Sequence, residues 1–311
     1  AYISNALLAH FAHTPDVWRW MLAIAVIPAA LLWIGMHFVP TSPRWLASKG
    51  RMEEAREVLE KIRSSKKQVD KEMKEIEAQN DEERADVSWS SIWAEPWLRR
   101  LLLVGMGLGF VAQLTGVNAF MYFTPVILKS TGLGTNAALT ATIGNGVASV
   151  IATLIGIWLV GRHGRRPMLM TGLCFVVLAQ VLLCGVLTML PSSLLQSYLA
   201  LACILMFLLF MQTFIAPVYW LLMSELFPSH LRGMMTGTAV CFQWLCNASV
   251  AFLFPIALAG FGPYTFMLFA AINVMSLIFV AMCVPETRGK SLEQIERHME
   301  KEFTPDEPAS A

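Results

Sequence analysis

The chain has 311 residues, of which 56% are hydrophobic and only 14% charged, with a formal net charge of +1. That balance excludes an ordinary soluble domain and points to an all-α, polytopic membrane protein. With no block of interleaved basic and aromatic residues, it also excludes a nucleic-acid partner.

Taken in order, Ala1–Phe11 is apolar but too short to cross a bilayer, and reads as the tail of an earlier helix. The chain opens on Ala1 without a signal peptide, so further sequence carrying more spans is expected upstream. His10 and His13 have no third ligand nearby and read as loop residues. Asp16 to Trp20 pairs two aromatics with charge in the manner of a membrane interface, and Trp20–Val39 follows as a full span. Pro28 is expected to kink it. Residues 1–40 therefore make a first domain, the end of one transmembrane helix and one complete span.

Residues 41–97 are charged and helix-favouring. Val58, Leu59 and Ile62, continued by Met73 and Ile76, mark an apolar stripe at helical spacing. Two or three short amphipathic helices lying on the membrane face are expected. Trp89, Ile92, Trp93 and Trp97 then lead into the bilayer.

Residues 98–285 hold six spans, at Leu101–Leu128, Ala137–Val160, Pro167–Leu190, Tyr198–Met223, Met234–Ala259 and Pro263–Val284. Residues 286–311 form a tail, in which Ser291–Phe303 reads as an amphipathic helix capped by Ser291, with a disordered end. Alternating the spans assigns thirteen Lys/Arg between Arg44 and Arg100 to one side, with three at Arg162–Arg166, one at Arg232 and four after Pro285. Only Arg19 and Lys129 fall on the other. The positive-inside rule then makes the insert and the C-terminus cytoplasmic, in a multi-pass protein of a cell inner membrane or plasma membrane.

Cys174, Cys184, Cys203, Cys241, Cys246 and Cys283 all lie in apolar stretches without a metal-type spacing, and read as packed free thiols. No Ser/His/Asp set or metal motif lies at membrane depth, so no catalytic residue, metal or cofactor is expected and the chain does not read as an enzyme. The GMGLG run at Gly105–Gly109 follows no strand and reads as close helix packing rather than a nucleotide loop. No ATP-binding motif is present.

The chemistry concentrates in Leu101–Leu128. This uncharged run carries Gln113, Thr115, Asn118 and Tyr122, with Gly116 and Pro125 placed to bend the helix. Buried carboxamides are costly without partners, and freed backbone groups must be re-satisfied by protein or water. The six spans hold no acid, base or histidine at central depth, so they offer no countercharge for an ionic solute. They do offer Ser149, Gln212, Thr213, Trp220, Gln243, Trp244 and Asn247. Gln243 and Asn247 share a helix face, as do Asn118 and Tyr122. A carboxamide both donates and accepts, matching a vicinal diol, and an indole covers the apolar face of a sugar ring. The set reads as a site for a neutral, hydroxyl-rich solute.

Six segments then stand in a recognisable order: PTSPRWL at Pro40–Leu46, AQLTGVNAFMYF at Ala112–Phe123, GRHGRRP at Gly161–Pro167, APVYWLLMSELFPSHLRG at Ala216–Gly233, QWLCN at Gln243–Asn247 and PETRGKSLEQIE at Pro285–Glu296. Over nearly its whole length the chain resembles the C-terminal half of a sugar porter of the major facilitator superfamily (MFS). The resemblance implies two six-helix bundles rocking about a central sugar site. This chain would supply the second bundle, the preceding helix and the cytoplasmic insert, with the first bundle upstream.

The resemblance implies sugar contacts at Gln113, Asn118, Trp220, Gln243 and Trp244, with Tyr122 and Asn247 beside them; Ser149 and Gln212 are carried only weakly. It also implies an inner gate in which Glu225 faces Arg162, Arg165, Arg166 and Arg232, with Arg44 at the start of the insert counted among the gate residues. Some positions depart from the family. Ala112 stands where a first glutamine is usual, Thr41 and Gly161 where acids are usual, and Met234 where a second arginine is usual. Loss of the first amide removes a contact of about 1 kcal/mol, and the missing acids thin the gate.

The expectation is alternating-access transport of a neutral sugar or polyol (hexose, pentose or inositol) across the lipid bilayer, with protons as coupling partner. A truncated, non-transporting fragment or a sugar-sensing membrane protein is the alternative.

Overall fold

The computed structural model describes residues 16–63, 65–82, 89–130, 135–228 and 231–289. The tail helix expected at Ser291–Phe303, with its cap, and the segment Ala1–Phe11 lie outside the described residues, as does the side chain of Arg44. The chain divides into two compact units that meet between Ser91 and Ile92.

In the first unit, α1 (Val17–Ala23) and α2 (Val26–Met36) make up a span over Val17–Met36, three residues earlier at each end than the expected Trp20–Val39, and none of its residues is buried. The span is interrupted at Ile24–Ala25 rather than at Pro28 itself. Proline has no N–H for the carbonyl four residues earlier and its ring presses on that carbonyl, so the disturbance falls at Ile24. Tighter bonds from Ala25 N–H to the Leu22 carbonyl and from Ile27 N–H to that of Ile24 fill the gap.

The charged segment that follows folds into α3 (Pro43–Ser48), α4 (Met52–Ile62) and α5 (Lys66–Glu82). Leu46, Ala47, Ala55, Leu59, Val69, Met73 and Ile76 close a small core among the three. Leu59 is buried as expected, but Ile62 is half exposed, and Ala55, one turn before Leu59, joins it on the inner face instead. Ion pairs Arg56–Asp70 and Arg63–Glu72 (2.7 Å) tie α4 to α5.

The boundary falls within a short helix α6 (Trp89–Ala94), whose fully buried Ile92 belongs to the core of the second unit. That unit contains α7 (Pro96–Leu114), α8 (Val117–Ser130), α9 (Thr135–Val160), α10 (Arg165–Met189), α11 (Leu194–Phe210), a π-helical turn Met211–Ile215, α12 (Ala216–Glu225), α13 (Arg232–Phe261) and α14 (Tyr264–Cys283). Counting Val17–Met36, six described segments are long and apolar enough to cross a membrane, and Gly144–Val160 within α9 is a shorter apolar helix. α10 lies along α14 and α11, and α7 lies along α13. Phe120 stacks on Phe207 at 4.0 Å between ring centres, and Phe254 and Phe266 close the centre of the bundle around them.

Small residues let α7 pack closely against α13, α14 and the segment that joins α12 to α13. A Cβ at Gly105 would run into the Phe227 ring, one at Gly107 into the Phe279 ring, and one at Gly109 would lie 3.1 Å from Cβ of Gln243. The glycine run is therefore a packing surface. All six cysteines are free, as expected, but only Cys184 is fully buried; Cys174, Cys241 and Cys283 face outward.

Candidate functional site

The site is built on a break. α7 stops at Leu114, and Thr115 and Gly116 connect it to α8. Gly116 has φ +87°, a conformation in which a side chain is strained, and the Phe269 ring sits 3.1 Å from where its Cβ would be. The bend expected here is present, and the backbone it frees is re-satisfied by protein. Thr115 Oγ1 donates to the Ala112 carbonyl (2.9 Å), Gly116 N–H donates to the Gln113 carbonyl (3.1 Å), and Gln180 Nε2 donates to the Thr115 carbonyl (2.8 Å).

Across this break three of the expected residues meet. Asn118 Nδ2 donates to Gln113 Oε1 at 2.8 Å and to Asn247 Oδ1 at 2.7 Å. One turn away on α13, Gln243 Oε1 accepts from the Tyr219 hydroxyl at 2.6 Å. These pairings leave a defined set of free ends. Among the described residues, Gln113, Gln243 and Asn247 each accept through oxygen and keep their NH₂ groups unused, while Asn118 has committed its NH₂ and keeps its carbonyl oxygen. Four carboxamides from α7, α8 and α13 thus present three donors and one acceptor, with no net charge.

The aromatic members are placed differently. Tyr122, Trp220 and Trp244 are 57%, 55% and 56% exposed, and Trp220 packs edge-on against Tyr219 at 5.2 Å. They join no hydrogen bond of the amide array among the described residues. Thr213, weighed with the site from its position, turns away and donates to the Ala152 carbonyl (3.1 Å), where Gly156 lets the Thr213 carbonyl come close. The π turn beneath it has a local cause: Pro217 cannot donate to the Thr213 carbonyl, and the chain widens by a residue to accommodate this. Two clefts, an apolar one of about 370 Å³ beside Phe110 and Phe254 and a more mixed one of about 430 Å³ beside Leu190, Gln196 and Phe266, lie apart from these four amides.

At the charged end of the bundle, one of the four expected arginines meets Glu225. Arg165 Nη2 lies 2.7 Å from Oε1 and Nε 3.2 Å from Oε2, a two-pronged pair that Thr287 joins through its hydroxyl (2.6 Å). The other three are engaged elsewhere. Arg162 stacks over the Trp158 ring at 3.8 Å, Arg166 donates to the Ala281 carbonyl, and Arg232 donates to the Phe227 carbonyl (3.3 Å).

Glu286 completes the arrangement by capping the N-terminus of α10, accepting from the backbone N–H of Arg165 (2.9 Å), Arg166 (3.2 Å) and Arg288 (3.0 Å). Burial alone would raise its carboxyl. The N–H groups of Arg288, Arg165 and Arg166, with the Arg165 charge, outweigh burial and hold it below the usual carboxylate value.

Tyr219, Gln180, Asn273, Thr287 and the capping role of Glu286 were not expected from sequence. Gln180 and Asn273 carry the signal that singled out Gln113, a lone carboxamide in an apolar run.

Residues 1–299 match the family model described as "Sugar (and other) transporter". The chain belongs to this family. Among sugar transporters it is 45% identical over 302 residues to the major myo-inositol transporter IolT of Bacillus subtilis (strain 168), covering 96% of this chain and 63% of that protein. It is 44% identical over 301 residues to the putative metabolite transport protein YncC of the same organism, covering 96% and 64%. The proton:xylose symporter XylE of E. coli, solved with 6-bromo-6-deoxy-D-glucose bound, superposes with a TM-score of 0.81 at 29% identity, over 96% of this chain and 63% of that one. The chain thus spans a little under two thirds of these relatives' length. Its apolar helices and this likeness make it a multi-pass membrane protein of the MFS type.

Proposed function

We propose that the chain is the sugar-binding second half of an alternating-access carrier for a neutral sugar or polyol, with Gln113, Asn118, Gln243 and Asn247 binding the solute's hydroxyls. The observation that carries this reading is the set of free amide ends. A polyol hydroxyl both accepts and donates, so three NH₂ groups and one carbonyl oxygen match a cluster of hydroxyls without requiring charge on the solute. Among the described residues no Asp, Glu, Lys, Arg or His lies at the centre of the spans to favour an ion instead. Tyr122, Trp220 and Trp244 form the exposed aromatic face against which an opposing bundle closes over the ring.

The Arg165–Glu225–Thr287 cluster, with Glu286 beneath it, is the inner gate, holding the cytoplasmic ends of α10, α12 and the segment after α14 together when that side is shut. A cytoplasmic insert and C-terminus are supported by the concentration of Lys and Arg on this side. Protons are the coupling ion, a reading supported by the naming of XylE as a proton:xylose symporter. The solute class is supported by the naming of IolT as a myo-inositol transporter.

The test is uptake by the full-length protein, reconstituted in vesicles under an imposed proton gradient, with labelled pentoses, hexoses and inositols. Saturable uptake of a neutral member that collapses with an uncoupler is expected. Absence of uptake across the whole panel overturns the reading.

A further inference from the structure

Behind the break in the binding helix lies a chain of side chains that no part of the proposed solute contact uses. The Thr115 carbonyl receives no backbone N–H, because the helix does not continue past it. Gln180 of α10 supplies the missing donor at 2.8 Å, and Asn273 of α14 donates at 3.0 Å to Gln180 Oε1. Asn273 Nδ2 is itself shared with the Phe269 carbonyl at 3.0 Å, and the Phe269 ring is the one packed on Gly116. Gln180, Asn273 and Thr115 are all fully buried. In an apolar interior a freed carbonyl must find a donor, and a glutamine there must itself be held. The relay meets both needs and fixes α10 and α14 to the point where α7 turns into α8.

Gln113 and Asn118 stand on either side of that point, joined at 2.8 Å across it. The angle of the break therefore sets where their free ends point. We propose that Gln180 and Asn273 are positioning residues for the solute site: they hold the Thr115–Gly116 break so that Gln113 and Asn118 present their free amide ends together. This rests on the reading of those amides as the solute site. A loosened break misaims groups that touch solute, so the relay acts on affinity first and on turnover second.

The experiment uses the full-length transporter and tritiated myo-inositol, with D-glucose and D-xylose in parallel. Gln180→Leu is expected to raise the apparent KM about tenfold while Vmax per molecule in the membrane stays within about twofold. Asn273→Leu shifts KM in the same direction by less. Gln180→Leu added to Asn118→Ala raises KM little beyond Asn118→Ala alone, because the group being aimed is already gone. A purely structural role would lower abundance or Vmax and would add in full to Asn118→Ala; either result overturns the proposal. Gln243→Ala, which does not touch the break, is the control. If it raises KM and Gln180→Leu does not, positioning fails while the solute site stands. If neither changes KM, the solute site fails and the positioning role with it. Should Gln180→Leu not reach the membrane, Asn273→Leu, which leaves Gln180 in place, is judged by the same KM shift and the same combination with Asn118→Ala.

Discussion

Arg165 and Glu225 meet in a two-pronged ion pair, at 2.7 and 3.2 Å, with their side chains 14% and 24% exposed. The partial shielding separates this contact from an ordinary surface pair. Arg165→Ala and Glu225→Ala are each expected to lower the thermal stability of the purified protein, and the double variant to be little worse than either. A double-mutant cycle should return a coupling of about 1–2 kcal/mol. Arg165→Lys should recover only part of it, because an ammonium cannot span both carboxylate oxygens. Full additivity would show that the two side chains are not coupled.

Glu286 makes the stability of this end depend on pH. Its carboxyl is held below the unfolded value of 4.5, so its stabilisation is complete above 4.5 and is lost as pH falls through the lower folded value. Wild type should exceed Glu286→Gln in melting temperature at about pH 7, with the gap closing towards about pH 3. A gap that widens on acidification would reverse the sign of the argument.

Tyr219→Phe removes one hydroxyl and leaves Gln243 Oε1 without its 2.6 Å donor. Gln243 is then free to rotate and its NH₂ loses its fixed direction. The expected result is a several-fold rise in uptake KM, corresponding to about 1 kcal/mol, at near-normal abundance in the membrane. An unchanged KM would detach Tyr219 from the site.

Gly116→Ala tests the break itself. The position has φ +87°, and the new methyl would meet the Phe269 ring at 3.1 Å. A loss of about 1–2 kcal/mol in stability is expected from backbone strain alone, measurable by thermal unfolding in detergent. The same substitution at Gly144, where a Cβ meets nothing, should be close to neutral.

Much of this was legible in the sequence because membrane physics leaves few choices. An uncharged run of sufficient length must be a helix, so the spans and their order follow from composition. Gly116 was readable as a bend since it sits beside polar residues where a helix can break. The Pro28 interruption was anticipated, but sequence marks the proline, whereas the strain falls four residues earlier, at Ile24. Pro217 marks the π turn at Met211–Ile215 in the same way, through the carbonyl four residues earlier that it cannot serve. Arginines are a different matter: the positive-inside bias places several near Glu225, and only packing decides that Arg165 reaches it while Arg162 lies on Trp158. Tyr219 was hidden by its chemistry, since a tyrosine beside a tryptophan reads as packing until its hydroxyl is seen on Gln243.

The central claim is that uncharged amide ends hold the solute. It is tested most directly by equilibrium binding of the transported solute to the purified full-length protein, wild type against Gln243→Ala. Removing this amide should weaken the dissociation constant about tenfold or more, since the hydroxyl it served is left unpaired in a buried site. An unchanged dissociation constant would contradict the account.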